Sequence, residues 1–468
     1  MPKVAFMTTL SAIVLAAGEG KRMHSTTTKV LHAAAGRPLI YYPVRAALDA
    51  GAAYVVVVLS PQNRDTVHGE LTRWFGVDHL RVAIQEVPRG TGDAARAGLD
   101  QVDTERVLVL CGDTPLLRAE HLTRIGAELA EADLVLTSAL LHDPTGYGRI
   151  LRDPQGKLLE IREHRDLDSD AQRAVREINA GVYAASSAFL RQALAQITSE
   201  NSQGELYLTD TVAIAAKAGR AAALIGARDE MLGVNDRAQL SEAEAQLFAR
   251  TAARLGQAGV SVQVGAHIDT GVEVEQDARI GAGAHIRGKS RIFSGAHVDA
   301  GCVITDSDIG PGANIKPNSV ITESKVGANA QIGPFAHLRP GSVIEDDAHI
   351  GNFVETKKTI VRKGAKANHL AYLGDGDIGE KANVGAGTIF CNYDGFQKHK
   401  TTIGAGAFIG SDSQIVAPVT IGAGAYVATG TTVTKDVPDD ALAIGRTKQE
   451  NKLGYASRLK ARLQKAKK

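Results

Sequence analysis

The chain has 468 residues, and its 53 Lys and Arg residues nearly balance its 52 Asp and Glu residues, so the formal net charge is +1. This balance excludes a global basic field for holding nucleic acid, and no apolar run reaches the roughly 18 residues that a membrane span needs. The length exceeds what one core accommodates, so two or three domains are expected. Three cysteines, far apart and odd in number, favour a reducing cytoplasm.

The first part of the chain alternates apolar runs with helical patterns. Residues 12–17, 54–59 and 107–110 are continuous apolar runs, which are typical of buried parallel strands. Residues 39–50 predict a helix between two of them. The pattern predicts a doubly wound α/β domain over residues 1–237, in which ligands bind beyond the carboxyl ends of the strands.

A Gly-rich loop at residues 15–23 follows the first predicted strand. Its glycines allow backbone N–H groups to approach phosphate oxygens, while Arg22 and the downstream Lys29 offset the phosphate charge. The loop matches neither the GxGxxG fingerprint nor the Walker sequence, so those two nucleotide-binding patterns are excluded. Most such turns only reverse the chain, and the loop alone is a weak signal.

Two more loops leave the same predicted sheet edge. One carries Gln85 and then residues 90–92, and the other contains Asp113 directly after the strand at 107–110. A carboxylate at the end of a strand is well placed to hold Mg²⁺ facing a triphosphate. The alternative is a turn that Asp113 caps before a proline.

A helix and a hexapeptide repeat follow. Residues 236–256 have apolar positions at helical spacing and predict one helix that ends at Gly256, joining the domains as a linker over residues 238–258. From residue 259 to 468 an aliphatic residue recurs at every sixth position, in three runs: Ile280, Ile286, Ile292, Val298 and Ile304; Val326, Ile332, Leu338, Ile344 and Ile350; Ile403, Ile409, Ile415, Ile421, Val427 and Val433.

This period predicts a left-handed parallel β-helix, in which six residues form one flat face of a triangular coil. A β-sandwich would instead alternate with period two. The step fails between Val354 and Ile378, where the coil is expected to be interrupted, and such local failures usually serve function. His369 lies in this stretch, and an imidazole that titrates near 6.5 suits proton removal at neutral pH.

Several motifs together resemble a known family. The loop at 15–23 follows the Leu-Ala-Ala-Gly-x-Gly-x-Arg-Met pattern of sugar-nucleotide pyrophosphorylases. Further matching motifs lie at residues 143–149, 163–166, 177–179 and 233–235. With the hexapeptide coil added, essentially the whole chain is similar to the bifunctional bacterial N-acetylglucosamine-1-phosphate uridyltransferases and glucosamine-1-phosphate acetyltransferases.

For the α/β domain, the resemblance implies transfer of UMP from UTP to N-acetylglucosamine-1-phosphate, with Mg²⁺ as the cofactor held by Asp113 and Asn235. It implies catalytic roles for Arg22 and Lys29, recognition of uracil by Gln85, Gly90 and Thr91, and sugar binding by Gly148, Glu163 and Asn179. The full implied set for the nucleotide and sugar nucleotide is Leu15, Ala16, Ala17, Gly18, Lys29, Gln85, Gly90, Thr91, Gly112, Asp113, Gly148, Glu163, Asn179 and Asn235.

For the coil, the resemblance implies acetyl transfer from acetyl-CoA to glucosamine-1-phosphate, with His369 as the general base. It implies that the sugar phosphate is bound by Arg339, Lys357, Tyr372, Asn383 and Asn392, and that acetyl-CoA is bound by Ala386, Asn392, Tyr393, Ser411, Thr429 and Arg446. It also implies a homotrimer with this site between neighbouring coils, and a product used for cell-envelope polysaccharide.

Two alternatives stay open at this point: a nucleotidyltransferase with a scaffolding coil, and a regulatory subunit of the same layout. The basic residues after Tyr455 have two interpretations as well, a solvated tail or an attraction for the phosphates of the coenzyme. We expect small-molecule partners, with neither nucleic acid nor a membrane.

Overall fold

A computed structural model describes residues 9–18, 20–231 and 233–466, and the chain divides into two compact units, residues 1–250 and 251–468. Glu19 of the Gly-rich loop and the tail residues Lys467 and Lys468 lie outside the described residues. Each unit is considered by itself below.

The first unit is built on a mixed β-sheet. Its described strands, with a separate two-stranded hairpin formed by the second and third, are β1 (Leu10–Leu15), β2 (Ala33–Ala34), β3 (Arg37–Pro38), β4 (Val55–Leu59), β5 (Leu80–Ile84), β6 (Arg106–Cys111), β7 (Leu134–Leu140), β8 (Arg149–Arg152), β9 (Leu158–Arg162), β10 (Glu177–Ser186) and β11 (Ala221–Ile225). The strand order is β11-β7-β10-β6-β1-β4-β5, with β8 and β9 attached beside β10. Strands β6, β1, β4 and β5 are parallel, whereas β10 runs antiparallel to both of its neighbours.

Helices cover the sheet. They are α1 (Tyr41–Asp49), α2 (Arg64–Phe75), α3 (Thr91–Leu99), α4 (Ala119–Ala127), α5 (Asp170–Arg173), α6 (Ser187–Leu194), α7 (Asp210–Lys217) and α8 (Arg228–Met231), with short 3₁₀ turns at Lys21–Met23, Lys29–Leu31, Glu128–Ala130 and His164–Asp166. A further helix, α9 (Arg237–Gln257), begins in the first unit and ends in the second. Alternate residues of one strand enter opposite cores: Val57 packs in one hydrophobic cluster and Val58 in the other.

Burial on both faces explains why these strands are continuous apolar runs. The predicted doubly wound α/β fold is confirmed, and its three predicted strands and first helix are correct to within two residues.

The second unit is a three-sided coil of parallel strands. The first face contains Ser261–Val262, Arg279–Ile280, His297–Val298, Asn314–Ile315, Gln331–Ile332, His349–Asn352, Lys366–His369, Asn383–Val384, Phe408–Ile409, Tyr426–Val427 and Leu442–Ala443. The second contains His267–Ile268, His285–Arg287, Val303–Thr305, Val320–Thr322, His337–Leu338, Glu355–Lys357, Tyr372–Gly374, Ile389–Cys391, Gln414–Val416 and Thr432–Val433. The third contains Glu273–Val274, Arg291–Ile292, Asp308–Ile309, Lys325–Val326, Val343–Ile344, Ile360–Val361, Gly376–Ile378, Thr401–Ile403 and Val419–Ile421.

Every aliphatic residue of the predicted six-residue series is buried inside this coil, so the predicted β-helix is confirmed. A helix, α10 (Tyr455–Lys465), follows it and has no buried residue. Within the described ranges, no helix has the length and apolar character that crossing a lipid bilayer demands.

The expected interruption of the coil between Val354 and Ile378 is wrong. Strands continue in parallel register through this stretch, and the interior positions are filled by Thr356, Val361, Ala367 and Leu373, all buried. The six-residue aliphatic pattern fails there for two reasons: Thr356 and Ala367 stand where an aliphatic residue is expected, and the steps from Thr356 to Val361 and from Leu373 to Ile378 are five residues long. The insertion lies instead at residues 392–400, between a strand of the second face and one of the third.

Candidate functional site

The carboxyl edge of the first unit's sheet gathers four of the predicted charged and polar residues. The ammonium of Lys29 donates to the carboxylate of Asp113 and, at 3.2 Å, to Oδ1 of Asn235. Arg22 Nη2 donates to the same amide oxygen at 2.9 Å. Because Asp113 follows β6 and Asn235 precedes α9, distant segments converge on one point.

The Gly-rich loop passes close over Lys29. Gly20 has a φ of +65°, and a methyl group in its place would lie 2.5 Å from Cβ of Lys29. Glycine is therefore required both for the left-handed conformation and for the close approach. The N–H of Gly112 donates to the carbonyl of Leu15 at 2.9 Å, which joins the first predicted loop to the third.

The donor set fits a magnesium ion. A carboxylate and an amide oxygen are hard ligands of the kind that Mg²⁺ prefers, and both already face one cation, the ammonium of Lys29. Within the described ranges, no group of three or more His, Cys, Asp or Glu residues is arranged so that it could hold a metal ion by itself. This arrangement suits an ion that takes its remaining ligands from phosphates and water.

The three predicted sugar-binding residues lie together. The N–H of Asn179 donates to the carbonyl of Gly148 at 2.9 Å, and a methyl group at Gly148 would lie 3.3 Å from each carboxylate oxygen of Glu163. Thr209 Oγ1 donates to Glu163 Oε1 at 3.1 Å, and burial raises the pKa of Glu163.

A cavity of about 320 Å³ lies between the first and second predicted loops. Its lining contains the predicted residues Ala17, Gly18 and Gln85, and also Ser25, Thr26, Thr27, Thr28, Ser60, Pro61, Gln62, Asn63, Glu86 and Pro88. Gln85 Nε2 donates to the carbonyl of Gly90 at 3.0 Å, so the second loop holds this amide in place. Thr91 Oγ1 accepts a hydrogen bond from the N–H of Leu208 at 3.1 Å, which is a structural contact. Ala16 donates its N–H to Val58 within the sheet.

Arg149 is a residue that the sequence analysis missed. Its side chain is only 2% exposed, one guanidinium nitrogen donates to the carbonyl of Tyr147, and Nη2 lies 3.5 Å from Nδ1 of His164. Its Nε has no hydrogen-bond partner among the described residues, and burial lowers the pKa of Arg149. The buried cation thus directly follows the predicted sugar-binding residue Gly148. Its position inside the motif at 143–149 was the available signal.

In the coil, His369 lies at the corner where the first face passes into the second. It ends the strand Lys366–His369 and is exposed. Asn352 is its partner in register on the preceding turn, and Nδ1 of His369 lies 2.9 Å from Oδ1 of Asn352. The exposed imidazole is not held by packing, and its contact with Asn352 orients it instead.

Most of the predicted acetyl-CoA residues lie at this same first corner, on later turns of the coil. Ala386 stands one turn beyond His369, where the N–H of Gly387 donates to the carbonyl of Leu370 at 3.1 Å. Carbonyls of Ala386 and Ser411 each accept an N–H from the next turn, at 2.7 and 2.9 Å respectively. Arg446 Nη1 donates to the carbonyl of Thr429 at 2.6 Å. Together they form one column along the coil.

Most of the sugar-phosphate residues lie at the next corner, between the second and third faces. A methyl group at Gly374 would lie 2.5 Å from the hydroxyl of Tyr372 and 2.6 Å from Nδ2 of Asn392, so these two side chains meet there. Lys357 is opposite Gly374 in register. Asn392 donates to Asp375 at 2.6 Å.

Arg339 and Lys398 add positive charge around this second corner. Arg339 pairs with Glu355 at 2.7 Å, and Glu355 is in register with Tyr372. The neighbouring ammonium of Lys398 lowers the pKa of Lys357, and two adjacent cations favour an anion between them. Lys398 belongs to the insertion at 392–400, which the aliphatic period did not show.

The predicted acetyl-transfer residues therefore do not form one cluster within the chain. His369 and Lys357 end strands on different faces, so a whole face separates the two corners. Asn383 lies on the outer surface of the first face beside Phe408. Tyr393 extends into the insertion, where its hydroxyl donates to the carbonyl of Gly395 at 2.6 Å.

Comparison with known proteins agrees with both units. Residues 12–206 match the family described as MobA-like NTP transferase domain, and residues 323–358 and 400–435 match the family of bacterial transferase hexapeptide repeats. The bifunctional protein GlmU of Sorangium cellulosum is 60% identical over 468 residues, covering 98% of both chains. The proteins of the same name from an Anaeromyxobacter species and from Trichlorobacter lovleyi are 50% and 46% identical, over 98% and 95% of this chain and 94% and 97% of their own.

The identity extends over nearly the whole length, so it covers both the nucleotidyltransferase unit and the hexapeptide coil. The chain therefore belongs to the GlmU family of bifunctional enzymes, which combine a nucleotidyltransferase with an N-acetyltransferase.

Proposed function

We propose that the coil acetylates glucosamine-1-phosphate with acetyl-CoA and that the first unit then transfers UMP from UTP to the product. The products are coenzyme A, UDP-N-acetylglucosamine and pyrophosphate. The observation that carries the proposal is the exposed imidazole of His369, which Asn352 orients at 2.9 Å although the coil core does not need it. A coil that served only assembly would have no use for such a group.

In uridyl transfer, a phosphate oxygen of the sugar phosphate attacks the α-phosphorus of UTP and pyrophosphate leaves. Positioning and charge stabilisation dominate this type of reaction. Arg22 and Lys29 would offset the phosphate charge, and Gly148, Glu163 and Asn179 would hold the sugar. Asp113 and Asn235 would hold Mg²⁺, which when bound neutralises charge on the phosphates.

In acetyl transfer, the amine nitrogen of glucosamine-1-phosphate attacks the thioester carbon and its proton passes to His369. The C–S bond breaks, and coenzyme A leaves as a thiolate that takes the proton back from His369 to form the thiol. Arg339, Lys357 and Lys398 supply the cations for the sugar phosphate. The column at the first corner, from Ala386 to Arg446, would bind the coenzyme. An imidazole is suited to this proton transfer because it titrates near neutral pH.

We also propose a homotrimer whose acetyl-transfer site lies between two chains. Its support is the separation of the two corners within one chain, together with exposed apolar side chains beside His369. Phe335 and Phe353 stack with ring centroids 5.5 Å apart, and both, like Leu370, are exposed. A second coil against this surface would bury them and bring its own second corner to His369.

The cytoplasm is the proposed location, and the product is proposed as a precursor of cell-envelope polysaccharide. Cys111, Cys302 and Cys391, all within the described ranges, form no disulfide, which accords with a reducing compartment.

The first experiment follows the two reactions in one sample. Purified protein with acetyl-CoA and glucosamine-1-phosphate should release thiol, and pyrophosphate should appear only after UTP and Mg²⁺ are added. His369→Ala should lower acetyl transfer by roughly 10²- to 10⁴-fold, the usual worth of a general base, and Asp113→Ala should abolish uridyl transfer alone. Release of pyrophosphate from supplied N-acetylglucosamine-1-phosphate without any thiol release would instead support a scaffolding coil.

The second experiment tests whether chains share the site. His369→Ala and Lys357→Ala proteins, each inactive in acetyl transfer, are unfolded together and refolded as a mixture. If the two residues come from different chains, random trimers should recover roughly a quarter of wild-type activity, because one interface in four combines two intact residues. If one chain supplies both, the mixture stays inactive, and the shared site is rejected.

A further inference from the structure

We propose that Asn352 is the positioning residue of the acetyl-transfer site: its amide oxygen fixes the tautomer and the direction of the His369 ring. This inference rests on the proposed role of His369 as general base. The supporting geometry is the 2.9 Å contact between Asn352 Oδ1 and His369 Nδ1, made between residues that are partners in the parallel ladder.

The tautomer follows from the chemistry of the contact. A carbonyl oxygen only accepts, so Nδ1 of His369 must carry the proton that it donates. The lone pair is then on Nε2, at the far side of the ring, where it can take a proton from an amine. If the amide were turned so that its NH₂ faced Nδ1, the ring would carry its proton on Nε2 and could not act there as a base.

The backbone makes the position of Asn352 dependable. Asn352 and His369 end neighbouring strands of the first face, so the ladder hydrogen bonds set the distance between their Cα atoms. The preceding residue, Gly351, allows the two turns to approach closely, because a methyl group there would overlap the backbone oxygen of Asn368. Rigid support of this kind is what a catalytic side chain requires.

Other charged groups around the ring cannot take over this task. His349 lies on the preceding strand, where His369 is one of the groups that lower its pKa, and Lys366 lies on the same strand as His369. A protonated Lys or His side chain only donates hydrogen bonds, so neither cation can accept the N–H of Nδ1 in place of Asn352. On the next turn, the strand Asn383–Val384 and the following Ala386 carry no charged side chain.

The test uses two substitutions that change one feature each. Asn352→Ala removes the acceptor, and we expect kcat for acetyl transfer to fall about tenfold while KM for both substrates changes less than about twofold. Asn352→Asp keeps the acceptor and adds a negative charge. In the pH profile of kcat for Asn352→Asp, the acidic limb should move to higher pH by about one unit. Above that limb, kcat should equal the wild-type value.

The matched control is Asn314→Ala. Asn314 also lies on the first face and contacts an equivalent residue on the next turn, Gln331, at 3.2 Å. Its loss should leave acetyl transfer unchanged. Uridyl transfer measured in every sample corrects for the fraction of folded protein.

The results separate this inference from the proposed function. If His369→Ala abolishes acetyl transfer but both Asn352 variants match the wild type in kcat and in pH profile, the positioning role is wrong. If Asn352→Ala raises KM tenfold at unchanged kcat, Asn352 contacts substrate instead, and the inference is again wrong. If His369→Ala retains full acetyl transfer, the proposed general base itself fails.

Discussion

The two candidate sites are held together in different ways. In the first unit, Lys29 bonds to residues 84 and 206 positions further along the chain, Asp113 and Asn235. In the coil, the contacts of His369 and Asn392 each span 17 positions, one turn. A sheet edge gathers distant loops at one point, whereas a coil repeats local neighbours along a column. The residues of the first candidate site are therefore gathered at one point of the chain, whereas those of the second are spread over two corners.

The largest effect is expected from a substitution that disturbs one turn of the coil. A methyl group in Gly351→Ala would overlap the backbone oxygen of Asn368, so the turns carrying Asn352 and His369 must move apart. Acetyl transfer should fall about 10²-fold, since a displacement of about 1 Å is enough for such a loss. Uridyl transfer should be retained, and both are measured by steady-state assays below the melting temperature.

Gly327→Ala provides the control for this change. Its methyl group would lie 2.6 Å from the backbone nitrogen of Asp346, which is also a backbone clash, though a smaller one, and it lies away from His369. Both variants should lose on the order of 3 kcal/mol of coil stability, yet only Gly351→Ala should lose acetyl transfer. Equal activity losses in the two variants would mean that the coil responds as a whole rather than turn by turn.

The fold of the coil was predictable wherever an aliphatic side chain fills the interior position of each face. Each face of the coil inserts one residue into the interior, so the six-residue step identified buried positions correctly in each of its three runs between Ile280 and Val433. The step failed as a guide at Thr356 and Ala367, because the interior also accepts smaller side chains. It also missed residues 392–400, since the insertion leaves the columns on either side intact.

The sequence named the residues of the candidate sites, but it predicted less well how these residues contact one another. The resemblance paired Asp113 with Asn235 as metal ligands, but the contact of both with the ammonium of Lys29 is a tertiary contact with no local signal. Arg149 lies inside the motif at 143–149, but its burial appears only in the structure. Asn352 was within reach, because it stands one coil turn before His369.

Acid should affect the first unit through His121. Burial lowers the pKa of His121 to about 4, and its Nε2 lies 2.7 Å from Oγ1 of Thr137. Below pH 6.5 the unfolded chain binds a proton that the folded chain refuses, so this contribution to stability is present above pH 6.5 and is lost as the pH falls. The free energy of unfolding should drop by up to about 3 kcal/mol towards pH 4.

Trp74, the single tryptophan of the sequence, reports on this unit by its fluorescence in urea titrations. His121→Gln removes the titrating group and keeps a polar partner for Thr137, so its stability should depend less on pH by the same amount. Parallel curves for the variant and the wild type would show that His121 does not control the acid response.

Arg149 should affect only one of the two substrates of uridyl transfer. In Arg149→Lys the charge remains, but an ammonium cannot reach both Tyr147 and His164 as the guanidinium does. KM for N-acetylglucosamine-1-phosphate should rise about tenfold, a loss of about 1.4 kcal/mol, with KM for UTP unchanged. Arg152→Lys, on the same strand but paired with Glu177 at 2.8 Å, is the control. Equal effects on both KM values would contradict a local role.

The smallest effect should come from Gly69→Ala in α2. A methyl group there meets no described atom within 4 Å, so the variant gains helix propensity without a clash, and the first unit should be stabilised by about 0.5 to 1 kcal/mol. In Gly98→Ala of α3 the methyl group would lie 2.6 Å from Ile13 and 2.8 Å from Val58, so this partner should be destabilised. Trp74 fluorescence in urea measures both. Because neither glycine belongs to a site, both activities should persist at low temperature, and a loss of uridyl transfer in Gly69→Ala would show that the site at the sheet edge depends on helices that it does not touch.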